Sequence, residues 1–530
     1  MPSLDELKAR WFIPMDGSSP DGIPVRRHTD ESPLAVSTDG NNVSPLIDGQ
    51  NYMHRWHTEL ESLHTSAVGE CFHAAWRLEA VKTLGHTSSG NDALEDIDDA
   101  DEAGVVLYPL LCRNLVSLPF NIVTVDWLRL HGVWTAVMDN RFPAGGSNHQ
   151  KFAVFKDGTE ARAVLGSIDI SKTRWDTTSH LADDPDRNPA FGKPTHDTGV
   201  LVEGPAVADI ELTFRERWND STRTLGLQPL LPSQPLITTP VTTPATGGSH
   251  SVQVLRTYGV TNTFFGYSWS PRGEFTVWAS YLNAIKRATT LIYIEDQYFL
   301  PFDWPPCHTR GAGAARDTDL LYQLGEAIRR GARVGILVPS NAEDLWHGNQ
   351  VYQRDIGLNY LNSVAMEPGA GSFLVTSLGT TTSGGSSGSG GSDGDEEEIV
   401  DVGIYVHSKL MIVDDEVVLI GSANVGQRSM THDGELQIAV VDGDNQLARE
   451  FRKTLWAEHS ERSAAIYDDP VSGFAEFVAD VAASAGRLRP YPVDPLNIYP
   501  PTAASNAPPA GHDQKLRHVI DPYAGPAGVR

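Results

Sequence analysis

Two stretches of the chain carry the same reactive side chains in the same order. Asn148-His149-Gln150-Lys151 is followed by an apolar run and then Gly166-Ser167-Ile168-Asp169, and Val406-His407-Ser408-Lys409 by a similar run and then Gly421-Ser422-Ala423-Asn424. One residue separates His from Lys in each copy, so on an extended strand both side chains point to one face. A hairpin then returns Gly-Ser beside them. Two such hairpins deliver two imidazoles and two ammonium groups to one cleft, a set that suits a phosphodiester. One neutral imidazole can attack phosphorus while the other, protonated, gives its proton to the leaving oxygen. The lysines pair with the nonbridging oxygens through charge-assisted hydrogen bonds. The scheme calls for neither a metal nor a cofactor. A single copy would read as a buried histidine beside a solvated lysine; the second copy turns the pattern toward catalysis.

Other patterns that carry chemistry are weak. The sequence has no His-Glu-x-x-His and no Walker loop, and Gly311-Ala312-Gly313-Ala314-Ala315 follows no strand pattern and reads as a turn. The acidic run from Glu95 to Glu102 lacks the spacing of a calcium loop and reads as a solvated loop. Cys71, Cys112 and Cys307 lie far apart and form an odd set without metal-ligand spacing, so they read as buried thiols rather than a disulfide framework. No metal site is expected.

The elements that must position the hairpins follow one α/β plan used twice, with amphipathic helices alternating with short apolar, β-branched runs. In the first half a helix over 52–63 precedes the strand Cys71-Phe72-His73-Ala74-Ala75-Trp76. In the second, Phe275, Trp278, Leu282, Ile285 and Ala288 recur at helical spacing before Leu291-Ile292-Tyr293-Ile294. A helix over 319–330 ends at Gly331 and leads into Val334-Gly335-Ile336-Leu337-Val338. The expected fold is therefore α/β, two similar lobes that each hold a mixed β-sheet flanked by helices. The expected division is an N-terminal extension (1–44), a first lobe (45–227), a Pro/Thr-rich linker (228–250), a second lobe (251–488) and a Pro-rich tail (489–530). The Gly/Ser-rich stretch 379–398 offers too little apolar surface to offset its ordering entropy and is expected as a flexible surface insertion.

Composition sets outer limits. The chain has 530 residues, 40% of them apolar and 21% charged, which fits a globular protein rather than a collagenous or wholly disordered one. Its 41 Lys and Arg against 68 Asp and Glu give a net charge of -27, which opposes long-range attraction to nucleic acid or strongly anionic membranes. No run of about 18 uncharged apolar residues occurs, so no transmembrane helix is expected. The start, Met1-Pro2-Ser3-Leu4-Asp5-Glu6, does not read as a secretory signal. The expected setting is the cytoplasm or the periphery of a membrane, with secretion only if a signal has been removed, and the expected state is a monomer.

The sequence resembles the phospholipase D superfamily, whose signature is His-x-Lys, four residues, Asp, then Gly-Ser-x-Asn or Gly-Gly-x-Asn/Asp. The second copy matches throughout, in His407, Lys409, Asp414, Gly421, Ser422 and Asn424. Outside the signature the matches are Ile47-Asp48-Gly49 with Tyr52, Arg174-Trp175-Asp176, Val202-Glu203-Gly204-Pro205-Ala206, Arg217-Trp218-Asn219, Ile294-Glu295-Asp296-Gln297-Tyr298-Phe299 and Arg428-Ser429-Met430. These are similar to the phosphatidylcholine-cleaving branch shared by eukaryotic and some bacterial enzymes. The first copy departs from the signature: Lys156 stands where the pattern has Asp, and Asp169 where the second copy has Asn424. In the family that acid mainly supports the motif's structure, so the departure is expected to alter support rather than abolish activity.

The resemblance implies phospholipase D-like lobes related by a pseudo-twofold axis. It implies hydrolysis of a glycerophospholipid at a membrane or micelle surface to phosphatidic acid and free headgroup alcohol, with transfer to other alcohols as a side path. His149 would be the nucleophile that forms a phosphohistidine, His407 the acid and then the base, and Lys151 and Lys409 the phosphate ligands. Each imidazole would need an acid, and two positions fit: Asp197, 48 residues after His149, and Glu435, 28 residues after His407. Ser167, Asp169, Ser422 and Asn424 would add hydrogen bonds to the substrate. The aromatics near the motifs, Trp134, Trp175, Tyr298, Phe299 and Tyr405, read as core packing ahead of a pocket for a cationic headgroup. Cardiolipin synthase-like transfer, a superfamily nuclease and a pseudoenzyme that binds phosphate without turnover are the alternative readings.

Overall fold

The alternation of helix and strand is realised twice in the computed structural model. It describes residues 2–14, 34–84, 92–187, 192–220, 235–300, 318–340, 347–384, 398–498 and 504–506, apart from 140, 144, 261–266, 268 and 271. After α1 (Leu4–Trp11), the first lobe holds β1 (Thr38–Ile47), α2 (Asp48–Glu61), β2 (Gly69–Ala75), α3 (Ala93–Glu102), β3 (Val106–Cys112), α4 (Leu118–Leu130), β4 (Val137–Asp139), β5 (Phe152–Asp157), β6 (Glu160–Gly166), β7 (Thr195–His196), β8 (Thr198–Glu203) and α5 (Ala206–Asn219). The second holds β9 (His250–Tyr258), β10 (Glu274–Phe275), α6 (Thr276–Arg287), β11 (Leu291–Asp296), α7 (Leu320–Arg329), β12 (Arg333–Leu337), α8 (His347–Ala365), β13 (Phe373–Gly384), β14 (Glu398–Val406), β15 (Lys409–Val413), β16 (Val417–Gly421), α9 (Gln427–Thr431), β17 (Glu435–Asp442), α10 (Gln446–Ser460), α11 (Pro470–Ala482) and β18 (Leu488–Pro490).

The two sheets have one topology. The first runs β1-β8-β6-β5-β2-β3-β4 and the second β9-β17-β16-β15-β11-β12-β13. Every step matches in sense: β2 is antiparallel to β5 and parallel to β3, as β11 is to β15 and β12. β1 also pairs with β9, which joins the sheets at their equivalent edges.

Strand alternation sorts the side chains into layers. Phe152 and Val154 of β5, with Leu410 and Ile412 of β15, face a core shared by both sheets and by α5, α10 and α11. The opposite faces, Ala153 and Phe155 or Met411 and Val413, pack under the outer helices of their own lobe. In α2, Met53, Trp56 and Leu60 recur every three to four residues and, with Tyr52, are buried, each worth about 2 kcal/mol of burial.

Several expectations change in detail. The acidic stretch read as a solvated loop is α3. Asp92 and Glu95 form a reciprocal cap at its start, while Leu94, Ile97 and Ala100 form its buried face. The segment over 1–44 contains α1, whose Leu7 and Trp11 pack on the second lobe, and the start of β1. Residues 379–384 and 398 continue the paired strands β13 and β14, and 385–397 lie outside the described residues, as do the Gly311–Ala315 stretch and Cys307. Cys71 and Cys112 are buried free thiols. Residues 235–249 run without helix or strand against the first lobe. Among the described residues no helix is long and apolar enough to cross a membrane.

Candidate active site

Backbone pairing between the lobes positions the two histidines. Asn148 forms a parallel bridge with Gly434, and Val406 pairs in parallel with His196. His149 N then donates to Gly434 O and His407 N to His196 O, both at 2.8 Å. Each motif thus enters beside the chain that leads into the acid of the other lobe. His149 Nδ1 lies 3.2 Å from both oxygens of Glu435, and His407 Nδ1 lies 2.7 Å from Asp197 Oδ2. In chain order Asp197 follows His149 and Glu435 follows His407; the structure crosses the pairs. An imidazole whose Nδ1–H donates to a carboxylate keeps its lone pair at Nε2.

The returning Gly-Ser turns complete both sites in the same way. A Cβ on Gly166 would stand 2.5 Å from Gly199 Cα, and one on Gly421 would stand 2.3 Å from Leu436 O, so only glycine allows the hairpins to close against β8 and β17. Ser422 Oγ donates to Glu435 Oε2 at 2.5 Å, and Ser167 Oγ donates to Asp197 Oδ1. These serines hold the carboxylates that hold the histidines. Lys151 Nζ donates to His149 O at 2.9 Å and lies 3.3 Å from Asp169 Oδ2. Lys409 Nζ donates to His407 O at 2.5 Å and to Gln297 Oε1 at 2.9 Å. Asn424 Oδ1 is buried without a hydrogen-bond partner among the described residues.

Asp414 lies elsewhere. On the turn after β15 it accepts from the backbone N–H groups of Thr289, Thr290 and Leu291, from Thr289 Oγ1 and from Arg10 Nη2. It anchors the strand beneath the site, five residues from Lys409. At the same step in the first lobe, Lys156 Nζ lies 2.9 Å from Glu70 Oε2 and donates to Pro240 O at 2.8 Å.

Charge and burial set the protonation states. Burial pushes both imidazoles well below their ordinary range; Lys151 and Lys409 add to this at His149, and Arg174, Lys409, Lys151 and His149 at His407. Each histidine therefore feels cations from both motifs, as groups in one cleft do. Burial pushes Lys409 down to about 7 and Glu435 up to about 7, and it raises Asp197 against the pull of Lys409 and Arg174.

Some residues at the site take no role from the sequence reading: Trp76, and Gln297 although it lies within one of the matched stretches. The Trp76 ring lies 6.1 Å from the His149 ring, with Lys151 Nζ 5.8 Å from its centre. By strand register Trp76 occupies the place that Gln297 takes beside Lys409. Both immediately follow a strand, β2 or β11, that neighbours the motif strand. Of the aromatics, Trp175, Phe299 and Tyr405 are buried and Trp134 is exposed. Tyr405 Oη accepts from Gln297 Nε2 at 2.7 Å.

A family model described as phospholipase D matches residues 146–339 and 395–488, more than half of the chain. Phospholipase D alpha 1 of Vigna unguiculata is 27% identical over 396 residues, covering 61% of this chain and 48% of that protein. Phospholipase D beta 1 of Arabidopsis thaliana is 24% identical over 430 residues, covering 63% and 40%. The chain thus spans about half the length of the curated relatives it matches. Among solved structures, a phosphatidylserine synthase of Haemophilus influenzae aligns with a TM-score of 0.48 at 14% identity, covering 83% of this chain and 93% of that one. With the family model matched across both His-x-Lys hairpins, the chain belongs to the phospholipase D family.

Proposed function

We propose that the chain is a phospholipase D-type phosphodiesterase that cleaves a glycerophospholipid to phosphatidic acid and the free headgroup alcohol through a phosphohistidine, and that also transfers the phosphatidyl group to alcohols. The observation that carries this reading is the crossed pair of imidazoles, each held at Nδ1 by a carboxylate of the opposite lobe, with the lysines of both motifs acting on each ring.

His149 Nε2 attacks phosphorus, and the bond from phosphorus to the headgroup oxygen breaks as that oxygen takes a proton from His407. Water or an alcohol then attacks from the vacated side. Its proton goes to His407, and the P–N bond breaks to restore neutral His149. The depressed proton affinity of His149 keeps its ring nucleophilic at neutral pH. In the free protein His407 is depressed as well. A bound phosphodiester anion places negative charge beside it and raises its proton affinity, so substrate binding arms the acid. Lys151 and Lys409 stabilise the charge that builds on the nonbridging oxygens.

The test is release of choline from phosphatidylcholine vesicles, with and without a primary alcohol. The expected result is choline release with part of the lipid product appearing as the phosphatidyl alcohol, and loss of both in His149→Ala and His407→Ala. Brisk hydrolysis with no alcohol product, or activity retained in both variants, contradicts the proposal.

A further inference from the structure

Behind Asp197, on the side away from the cleft, lies a second cluster of imidazoles and carboxylates that the proposed reaction does not use. Asp48 at the start of α2, His180 in the turn before β7, His196 in β7 and Glu458 near the end of α10 bring their polar atoms together where the lobes meet. The first three side chains are fully buried, and Glu458 is one-tenth exposed. We propose that these four residues bind one zinc ion that ties the lobes together.

The spacing fits a tetrahedral ion. With bonds of about 2.0 to 2.1 Å, tetrahedral ligand atoms stand about 3.3 Å apart. His196 Nδ1 is 3.0 Å from Asp48 Oδ1 and 3.6 Å from Glu458 Oε1; His180 Nε2 is 3.5 Å from Asp48 Oδ2 and 3.2 Å from Glu458 Oε1. Within the cluster His180 Nε2 and Glu458 Oε1 share a hydrogen bond at 3.2 Å and Asp48 Oδ1 accepts from Asp197 N at 3.2 Å, whereas His196 Nδ1 and Asp48 Oδ2, both fully buried, make no hydrogen bond. With Nε2–H given to Glu295, His196 Nδ1 keeps a lone pair with no donor to meet it, as does Asp48 Oδ2, and an ion would take up both.

The surroundings fit as well. His180 Nδ1 is bonded to Asp176 at 2.9 Å and His196 Nε2 to Glu295 at 3.0 Å, which fixes each ring with its other nitrogen turned inward. A carboxylate on the outer nitrogen is the usual support for a metal-bound histidine. Glu295 also bonds His459 Nε2 at 3.1 Å. Four carboxylates thus meet there, and the neighbouring guanidinium, Arg187, is held by Asp176 and by the carbonyls of Leu181 and Ala182. The related place in the other lobe is neutralised differently. There Asp220, two residues after Trp218 as Glu458 is after Trp456, lies 3.5 Å from Arg141, and Asp139 holds Arg141 and Arg217. Fixed guanidinium charge on one side of the axis corresponds to an imidazole and carboxylate set of zinc-binding composition on the other.

The ligands stand at 48, 180, 196 and 458, so no motif spacing betrays them. The inference does not rest on the proposed reaction, because its readout is metal content. The full chain, produced with zinc in the medium and dialysed against EDTA, is analysed for bound metal beside His180→Gln and Glu458→Gln, the second being the milder change at the cluster's edge. About one equivalent of zinc is expected in the wild type, falling at least about fivefold in the variants. Protein grown with cobalt is expected to absorb between about 500 and 650 nm, the mark of a tetrahedral site, which reads the wild type even if a variant fails to fold. Less than about half an equivalent in folded wild-type protein, or unchanged metal in both variants, overturns the proposal.

Discussion

The two lobes agree where they face the cleft and differ where they are anchored. At the cleft, His, Lys, Gly and Ser coincide, and each serine bonds a carboxylate that bonds a histidine. Five residues past the lysine the lobes part. Asp414 gathers three backbone N–H groups of the chain entering β11, whereas Lys156 reaches Glu70 on β2 and a carbonyl of the interlobe segment. Opposite charges thus do the same work, each satisfied by its own set of partners. A signature position can therefore change sign without touching the reacting groups, provided its buried partners change with it.

The largest expected effect lies on the shared side of this comparison. Asp197→Asn and Glu435→Gln should each lower kcat by about a thousandfold or more, because an amide can donate its own N–H to Nδ1, which moves the ring proton to Nε2 and removes the lone pair from the reacting side, and because it no longer offers a negative charge to an imidazolium. A loss in one variant and none in the other would break the equivalence of the two sites. On the divergent side, Lys156→Met strands the buried Glu70 carboxylate and should cost about 3 kcal/mol in urea denaturation, while kcat per folded molecule stays within about threefold. Asp414→Asn keeps the shape but sets an NH2 against donors that one carboxylate oxygen had accepted, for about 2 kcal/mol and equally little change in kcat. Were either anchor variant to lose activity at full stability, the separation of support from chemistry would fail.

The smallest effect is a pH dependence. Burial, opposed by Asp197 and reinforced by Lys151, brings Lys409 down to about 7. A group depressed in this way loses its charge as pH rises through that value, so the free protein binds a phosphate more weakly above it. KM should rise by up to about tenfold for each pH unit above 7, and Lys409→Arg, which stays charged, should flatten the rise. An unchanged KM from pH 6 to pH 9 in the parent protein would argue that Lys409 is not a phosphate ligand.

Much of this arrangement was legible in the sequence because it is local. The spacing of His149 and Lys151, the apolar alternation of β5 and β15, and the Gly-Ser returns are set within single hairpins. The partner of each histidine was not, because the crossing of Asp197 and Glu435 arises from backbone bridges between residues 196 and 406 and between 148 and 434, which leave no periodicity. Helix α3 was hidden by its acidic composition, although Asp92, Leu94, Glu95 and Ile97 carry a cap and a buried face. Trp76 and Gln297 take equivalent places in chemically unlike form, so the repeat that exposed the histidines concealed them. His196 precedes Asp197 where Gly434 precedes Glu435, and a Cβ at Gly434 would meet Asn148 Oδ1 at 2.5 Å. That asymmetry becomes visible only when the lobes are superimposed in space.

The central claim is that His149 is the nucleophile and His407 the acid and base of one two-step transfer. The most direct measurement is mass spectrometry of protein quenched in denaturant and kept at alkaline pH, where a P–N bond survives, after mixing with a phosphatidyl ester of a good leaving group, in which departure needs no proton. His407→Ala should accumulate one phosphatidyl group per chain, located on His149 in the peptide map, and His149→Ala should carry none. An adduct on His407 instead, or no adduct in His407→Ala although the good leaving group is released, would contradict the account.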